Sequence, residues 1–267
     1  MSVRNLPSKD RLAYYLLKGM NKAIRDYGMI ADGDRIAVAV SGGKDSFTLL
    51  YLLWLRQQSV RERYEAIAVH VRMHQADGTP CVAFDVRSAL KTAGLYQPRL
   101  EIVDIGEQPS DCMRCSFLRR KAIFEAAQRL GCNKVALGHH ADDAAETTLL
   151  NLIFHGKVET LYPKRQFFGG QITLIRPLIY LPEKRIARFA QACAFPLQAV
   201  ACPHSANSRR AFMKDIIRVL EHEYPRVKIN LFRAGLRPYS PVACDNNVSD
   251  AMDSELLISR SQEAANE

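Results

Sequence analysis

The chain contains no apolar run of about 18 residues, which excludes a long hydrophobic helix crossing a membrane. Its opening stretch, MSVRNLPSKDRLAYYLLKG, breaks its apolar residues with charges and lacks a signal-peptide core. A cytosolic protein without membrane attachment is therefore expected. Seven cysteines are an odd number, and with no export signal they argue against a disulfide framework. The GxxxxGK[ST] phosphate motif is missing, and no internal repeat occurs. What is present is ordinary for a globular protein: 267 residues, 48% hydrophobic and 24% charged, enough to bury a substantial core.

Charge is unevenly spread. The net charge is +9, from 37 Lys and Arg against 28 Asp and Glu. Residues 245–267 hold six acidic residues and a single basic one, Arg260, so the rest of the chain is more basic than the whole. Such an excess suggests a polyanionic partner, nucleic acid above all. A basic but merely solvated surface is the alternative.

The hydrophobic pattern alternates between two periods. Residues 8–27 read as an amphipathic helix with Ser8 as N-cap. RIAVAV (35–40), EAIAVHV (65–71), RLEIVDI (99–105) and NKVALG (133–138) read as strands. Helices follow at 47–55, about 82–93, up to about 130, and 142–154. The loop before the third of these carries a CxxC. Strand–helix alternation with strands apolar on both faces predicts a doubly wound parallel α/β sheet. Residues 156–170 read as a loop, QITLIRPL as a strand leaving it, and 182–194 and 205–224 as helices. The domain reading is an N-terminal helix (1–30), the α/β domain (31–200), a basic helical C-terminal region (201–244) and an acidic disordered tail (245–267).

The most informative stretch is Ser41-Gly42-Gly43-Lys44-Asp45-Ser46, between the first strand and its helix. Two glycines let successive N–H groups converge, and the helix N-terminus adds positive potential, as a phosphate requires. Ser41 and Ser46 supply hydroxyls and Lys44 a cation. Asp45 would repel phosphate unless it holds Mg²⁺ or orients the loop. A Gly-Gly turn capped by serine is the bland alternative. A second element, GHHADDAAET (138–147), follows the fourth strand at the same carboxyl edge, where α/β proteins bind ligands. Asp142 as an ordinary N-cap explains the acids, but it explains two consecutive histidines poorly.

SGGKDS resembles the PP-loop of the ATP pyrophosphatase superfamily, whose fold is a Rossmann-type, HUP-like sheet. The resemblance implies that ATP is split between its α- and β-phosphates, with AMP passed to a substrate oxygen. In PP-loop families that modify tRNA, a segment similar to GHHADD lies against the nucleotide. By that resemblance Asp142 becomes a partner of ATP or Mg²⁺, with His139 and Asp143 beside it.

Cys112 and Cys115 form the CxxC, which alone fits a redox pair, half a zinc site or part of an iron–sulfur site. Its position after the third strand is wrong for a thioredoxin-type pair, and no second CxxC or CxxH completes a zinc site. Cys202, in ACPH, remains as a distal thiol. Cys81, Cys132 and Cys193 read as small core residues. The order CxxC, basic pair, GHHxDD and lone distal cysteine resembles the tRNA 2-thiocytidine synthetase family, from about residue 32 to 238. That resemblance implies a 4Fe–4S cluster on Cys112, Cys115 and Cys202; persulfide chemistry on two of them, or zinc, are the alternatives. It also implies ATP and Mg²⁺ as cofactors, tRNA as substrate, and a sulfur donor that is a cysteine desulfurase or free sulfide. A homodimer is compatible with it.

Basic residues cluster twice, around Arg114, Arg119, Arg120 and Lys121, and again at Arg209–Arg218. Arg210, Lys214 and Arg218 are spaced by four and share one helix face, which reads as an RNA phosphate track or as a solvated face. Arg119 is placed by the resemblance near the ATP phosphates, a catalytic role it would share with Asp45 and Asp142. The reaction implied is adenylation of O2 of an anticodon-loop cytidine, at position 32, and replacement of that oxygen by sulfur. Two other readings compete: a PP-loop ligase or amidating enzyme with a structural metal, and a non-enzymic iron–sulfur protein that binds nucleic acid. The phosphate loop, unneeded in the latter, speaks against it.

Overall fold

The computed structural model describes residues 7–74, 81–82, 84–95, 99–106, 112–197 and 209–236. The expected acidic tail and Cys202 lie outside them. The chain opens with α1 (Ser8–Asp26), β1 (Arg35–Ala39), α2 (Lys44–Gln57), β2 (Glu65–Met73), α3 (Val86–Thr92) and β3 (Arg99–Ile105). It continues with α4 (Cys112–Arg129), β4 (Lys134–Ala136), α5 (Ala141–His155), β5 (Lys164–Phe167), β6 (Ile172–Ile175), α6 (Glu183–Ala192), α7 (Arg209–Glu223) and α8 (Val227–Leu236).

The strands form one sheet in the order β3-β2-β1-β4-β6-β5. Every pairing is parallel except β5 with β6. The sheet is doubly wound, as the alternation of periods required. Helices α1, α2, α3 and α6 cover one face, where Leu16, Met20, Phe47, Leu50, Leu90 and Phe189 are buried together. Enclosing a phenylalanine such as Phe47 contributes about 1.5–3 kcal/mol. On the other face α4 sets Ala126 and Ala127 against Ala37, Ile67 and Val69, the small residues letting helix and sheet approach closely. Beyond α5, Met213 and Ile217 of α7 pack on Ala145 and Leu149.

Three local expectations are corrected. Ser8 is the first helical residue of α1 rather than its cap; Pro7 precedes it and its carbonyl accepts from Arg11 N–H at 3.0 Å. Proline's fixed φ suits helix entry, and no side-chain cap is present. The CxxC does not sit in a loop, because Cys112 opens α4. Residues 156–170 are not all loop: β5 lies among them, too short and too charged at Lys164 and Arg165 to register as a strand by periodicity. An edge strand tolerates those charges. None of the described helices is long and apolar enough to cross a membrane.

Candidate active site

The carboxyl ends of β1 and β4 meet at the start of α2. Gly42 takes φ +90°, a conformation open to glycine but costly for other residues, and this turns the chain from β1 into α2. The loop is held by its own serines. Ser41 N–H donates to Ser46 Oγ at 3.2 Å, Gly43 N–H to Ser41 Oγ at 3.4 Å, and Ser46 Oγ donates to Gly43 O at 2.9 Å. The first N–H groups of α2 have no partner within the helix, so they are offered to an anion. Across from them stands Gly138, at the end of β4. A Cβ there would lie 3.0 Å from Asp45 C and 3.1 Å from Ser46 N, so glycine lets this segment press on the loop backbone without displacing it.

Lys44 Nζ donates to Asp45 Oδ2 at 3.2 Å and to Glu183 Oε1 at 3.0 Å. Burial works against its charge, but Asp45 and Glu183 outweigh that and raise its pKa. Asp45 behaves in the opposite sense. Burial pushes its carboxyl above the usual range, more than His140 and Lys44 pull it down. Its Oδ1 is buried with no hydrogen-bond partner, and His140 Nε2 stands off at 3.7 Å. A desolvated carboxylate oxygen left unpaired beside a phosphate cradle is what a divalent cation would satisfy.

The helix α5 starts with a reciprocal cap. His140 Nδ1 accepts from Asp143 N–H at 3.3 Å, and Asp143 Oδ2 accepts from His140 N–H at 2.9 Å. The N-cap is thus His140, not Asp142. Asp142 is fully engaged: Oδ2 accepts the Glu183 N–H at 2.7 Å, and Oδ1 pairs with Lys228 at 2.9 Å. It joins the starts of α5 and α6 to α8 instead of facing the loop unpaired. The two histidines diverge. His140 faces Asp45, whereas His139 Nδ1 accepts from Arg176 Nε at 3.1 Å. Burial, aided by Arg176, lowers the His139 pKa to about 4, so this ring is neutral at physiological pH.

A small cavity of about 70 Å³ adjoins the loop at the ends of β1 and β2, lined by Ser41, His70, Met73, Phe84 and Arg119 among others. Arg119 therefore shares a cavity with the phosphate loop's first serine. His70 closes the cavity from below, its Nδ1–H donating to Val40 O at 2.7 Å. Burial lowers its pKa, which keeps the ring neutral there.

Cys112 and Cys115 belong to the first turn of α4. Cys115 is a half-buried free thiol. Among the described residues no three potential metal ligands converge, and Cys202, the expected third, lies outside them. Of the thiols expected in the core, Cys132 is buried, and that burial raises its pKa. Cys193 is half-buried, with burial pushing it up to about 11. Cys81 is exposed instead, because the chain leaves the sheet after Met73.

Residues 15–221 match the PP-loop domain family. A tRNA-cytidine(32) 2-sulfurtransferase from Geobacter sulfurreducens is 40% identical over 236 residues, covering 84% of this chain and 90% of the relative. The chain belongs to the PP-loop tRNA-cytidine(32) 2-sulfurtransferase family. A second member, from Geotalea uraniireducens, is 39% identical over 85% of this chain and 92% of its own. Among solved structures, a U34-tRNA thiolase, NcsA from Methanococcus maripaludis with its [4Fe-4S] cluster, superposes with a TM-score of 0.68 at 24% identity. That match covers 85% of this chain and 78% of the thiolase, and it supports the fold.

In this family member two cations of the expected phosphate track on α7 are paired with acids of the chain itself. Arg210 pairs with Asp143 at 3.1 Å and Glu146 at 3.2 Å, and Lys214 pairs with Glu183 at 2.9 Å. Arg218 is the most exposed of the three and pairs with Asp215 on its own helix. Arg210 and Lys214 thus balance acids of α5 and α6. The sequence reading assigned no site role to Glu183, Arg176 or Lys228. An acid directly after Pro182 at a helix start was the available signal for Glu183.

Proposed function

We propose that the chain is an ATP-dependent tRNA sulfurtransferase that forms 2-thiocytidine at position 32 of the anticodon loop. The observation that carries this reading is the phosphate loop with its unpaired, buried Asp45 Oδ1, in a chain with this family membership. Two events make up the reaction. O2 of the cytidine attacks the α-phosphorus of ATP and pyrophosphate leaves. A sulfur nucleophile then adds at C2, and the C2–O bond breaks as AMP departs with the original oxygen.

The loop N–H groups, Ser41, Ser46 and Lys44 bind the polyphosphate, and Arg119 approaches it from α4. Asp45 would hold Mg²⁺, which offsets the charge of the leaving pyrophosphate. Such a site supplies position and charge more than proton transfer. Asp142, by contrast, is a positioning residue: it fixes Glu183, and Glu183 fixes Lys44. Cys112 and Cys115, three apart at a helix start, suit a 4Fe–4S cluster completed by Cys202. Such a cluster, when bound, supplies an iron site able to carry sulfur. A cysteine desulfurase or free sulfide is the source, and with tRNA as substrate the cytoplasm is where the protein works.

Asp45→Asn tests the first half. It keeps the shape of the side chain but removes the negative charge that binds a cation tightly, so tRNA-dependent pyrophosphate release should fall by about a hundredfold or more. Unchanged release would remove Asp45 from the reaction.

A further inference from the structure

A second and far larger hollow, about 1010 Å³, runs between α4 and the β5–β6 hairpin. Its aromatic lining includes Phe117 and Phe124 from α4 and Phe167 and Phe168 from the hairpin. Three of these rings form a cluster, Phe124 lying 5.1 Å from Phe167 and 5.6 Å from Phe168 between centroids. Two rings stay in the open: Phe117 is 50% exposed and Phe168 60%. Phe168 also has φ +53°, a strained conformation for a bulky residue. The backbone thus holds a large ring outward, against what burial would favour.

Charge is as one-sided as the aromatics are dense. Arg120, Lys121, Arg165 and Arg176 line the hollow against one acid, Glu125, while Arg210, at one end, is already paired with acids of α5. Cations interleave with rings: Arg165 lies over Phe167 at 5.4 Å, and Arg114 over Phe117 at 5.6 Å. Open rings with flanking cations suit single-stranded nucleic acid, whose bases stack while its phosphates pair. A protein partner would need acids and apolar side chains in the same alternation, and a duplex hides its base faces. One end of the hollow reaches the candidate active site, because His139 and Arg210 line it and Arg210 is bonded to Asp143 at the start of α5.

We propose that this groove receives unstacked loop nucleotides that flank the reacting base, stacking them on Phe117 and Phe168 and pairing their phosphates with Arg120 and Arg165. The inference rests on the tRNA reading above and adds to it where the neighbouring bases go. Flanking bases held here would draw the target base out of its loop toward the phosphate loop.

The test measures binding of an anticodon stem–loop RNA and of a duplex of equal charge, with thiolation of tRNA followed in parallel. Phe117→Ala with Phe168→Ala should weaken stem–loop binding about tenfold or more and leave duplex binding and the salt slope unchanged. Both rings are exposed, so the fold should survive, which thermal unfolding checks. Arg165→Gln should flatten the salt slope by about one unit. Wild-type stem–loop affinity in the double alanine variant, while the parent chain thiolates tRNA, overturns the groove and spares the functional reading. So does intact RNA binding with lost transfer from a sulfur-carrying protein, which would make the groove a protein site. A parent chain that binds no loop RNA overturns both.

Discussion

The Glu183 carboxylate bridges two lysines, accepting from Lys44 at 3.0 Å through one oxygen and from Lys214 at 2.9 Å through the other. It joins the phosphate loop to α7 across the start of α6. Burial alone would raise its pKa, but the bonds from Lys214 and Lys44 prevail and bring it down to about 2. A carboxyl depressed in the folded state stabilises the fold above its unfolded value of 4.5, and that contribution fades as pH falls toward 2. Glu183→Gln should therefore lower the melting temperature at neutral pH. Between about pH 4.5 and 2 its stability should fall less steeply than that of the parent. Parallel melting curves across that window would show that the bridge adds nothing.

Gly138 faces the loop at a distance where a Cβ would crowd the Asp45–Ser46 backbone. Gly138→Ala must push the Asp45–Ser46 backbone back by a few tenths of an ångström, at about 1–3 kcal/mol. ATP binding, measured by calorimetry, should weaken about five- to a hundredfold while the far-ultraviolet spectrum stays native. Unaltered affinity would mean that the loop yields freely.

Apart from β5, the sheet was legible because apolar strands alternate with helices, and the phosphate loop because Gly-Gly with flanking serines follows a strand. The couplings between elements were not. Arg210 and Lys214 look like a phosphate track from their spacing, since i, i+4 spacing gives a face but not the neighbour it meets. Their partners, Asp143, Glu146 and Glu183, lie on other helices, a long-range fact. His139 and His140 are adjacent in sequence, yet the turn into α5 sends one to Arg176 and the other to Asp45.

These pairings separate the α7 cations by effect. Lys214→Gln should alter ATP affinity, because it releases Glu183 and through it Lys44, and should leave the salt dependence of tRNA binding alone. Arg218→Gln should do the reverse, flattening the salt slope by about one unit if it meets a phosphate. Filter binding over a salt series distinguishes them. A slope lost equally in both variants would restore the whole face as an RNA track.

Sulfur chemistry and base activation should separate in the same way. Cys115→Ser, purified without oxygen, should lose iron and thiolation while ATP affinity stays within about twofold, since the phosphate loop stands on another strand end. Asp45→Asn should keep its iron and lose activation. Full iron and full thiolation in Cys115→Ser would refute the cluster assignment.

The central claim is tested most directly by mass analysis of the nucleosides of tRNA incubated with the protein, ATP, Mg²⁺ and a sulfur source under anaerobic conditions. The account predicts 2-thiocytidine, formed only when ATP is present and absent with Asp45→Asn. A 2-thiouridine product, or thiolation that proceeds without ATP, would contradict it.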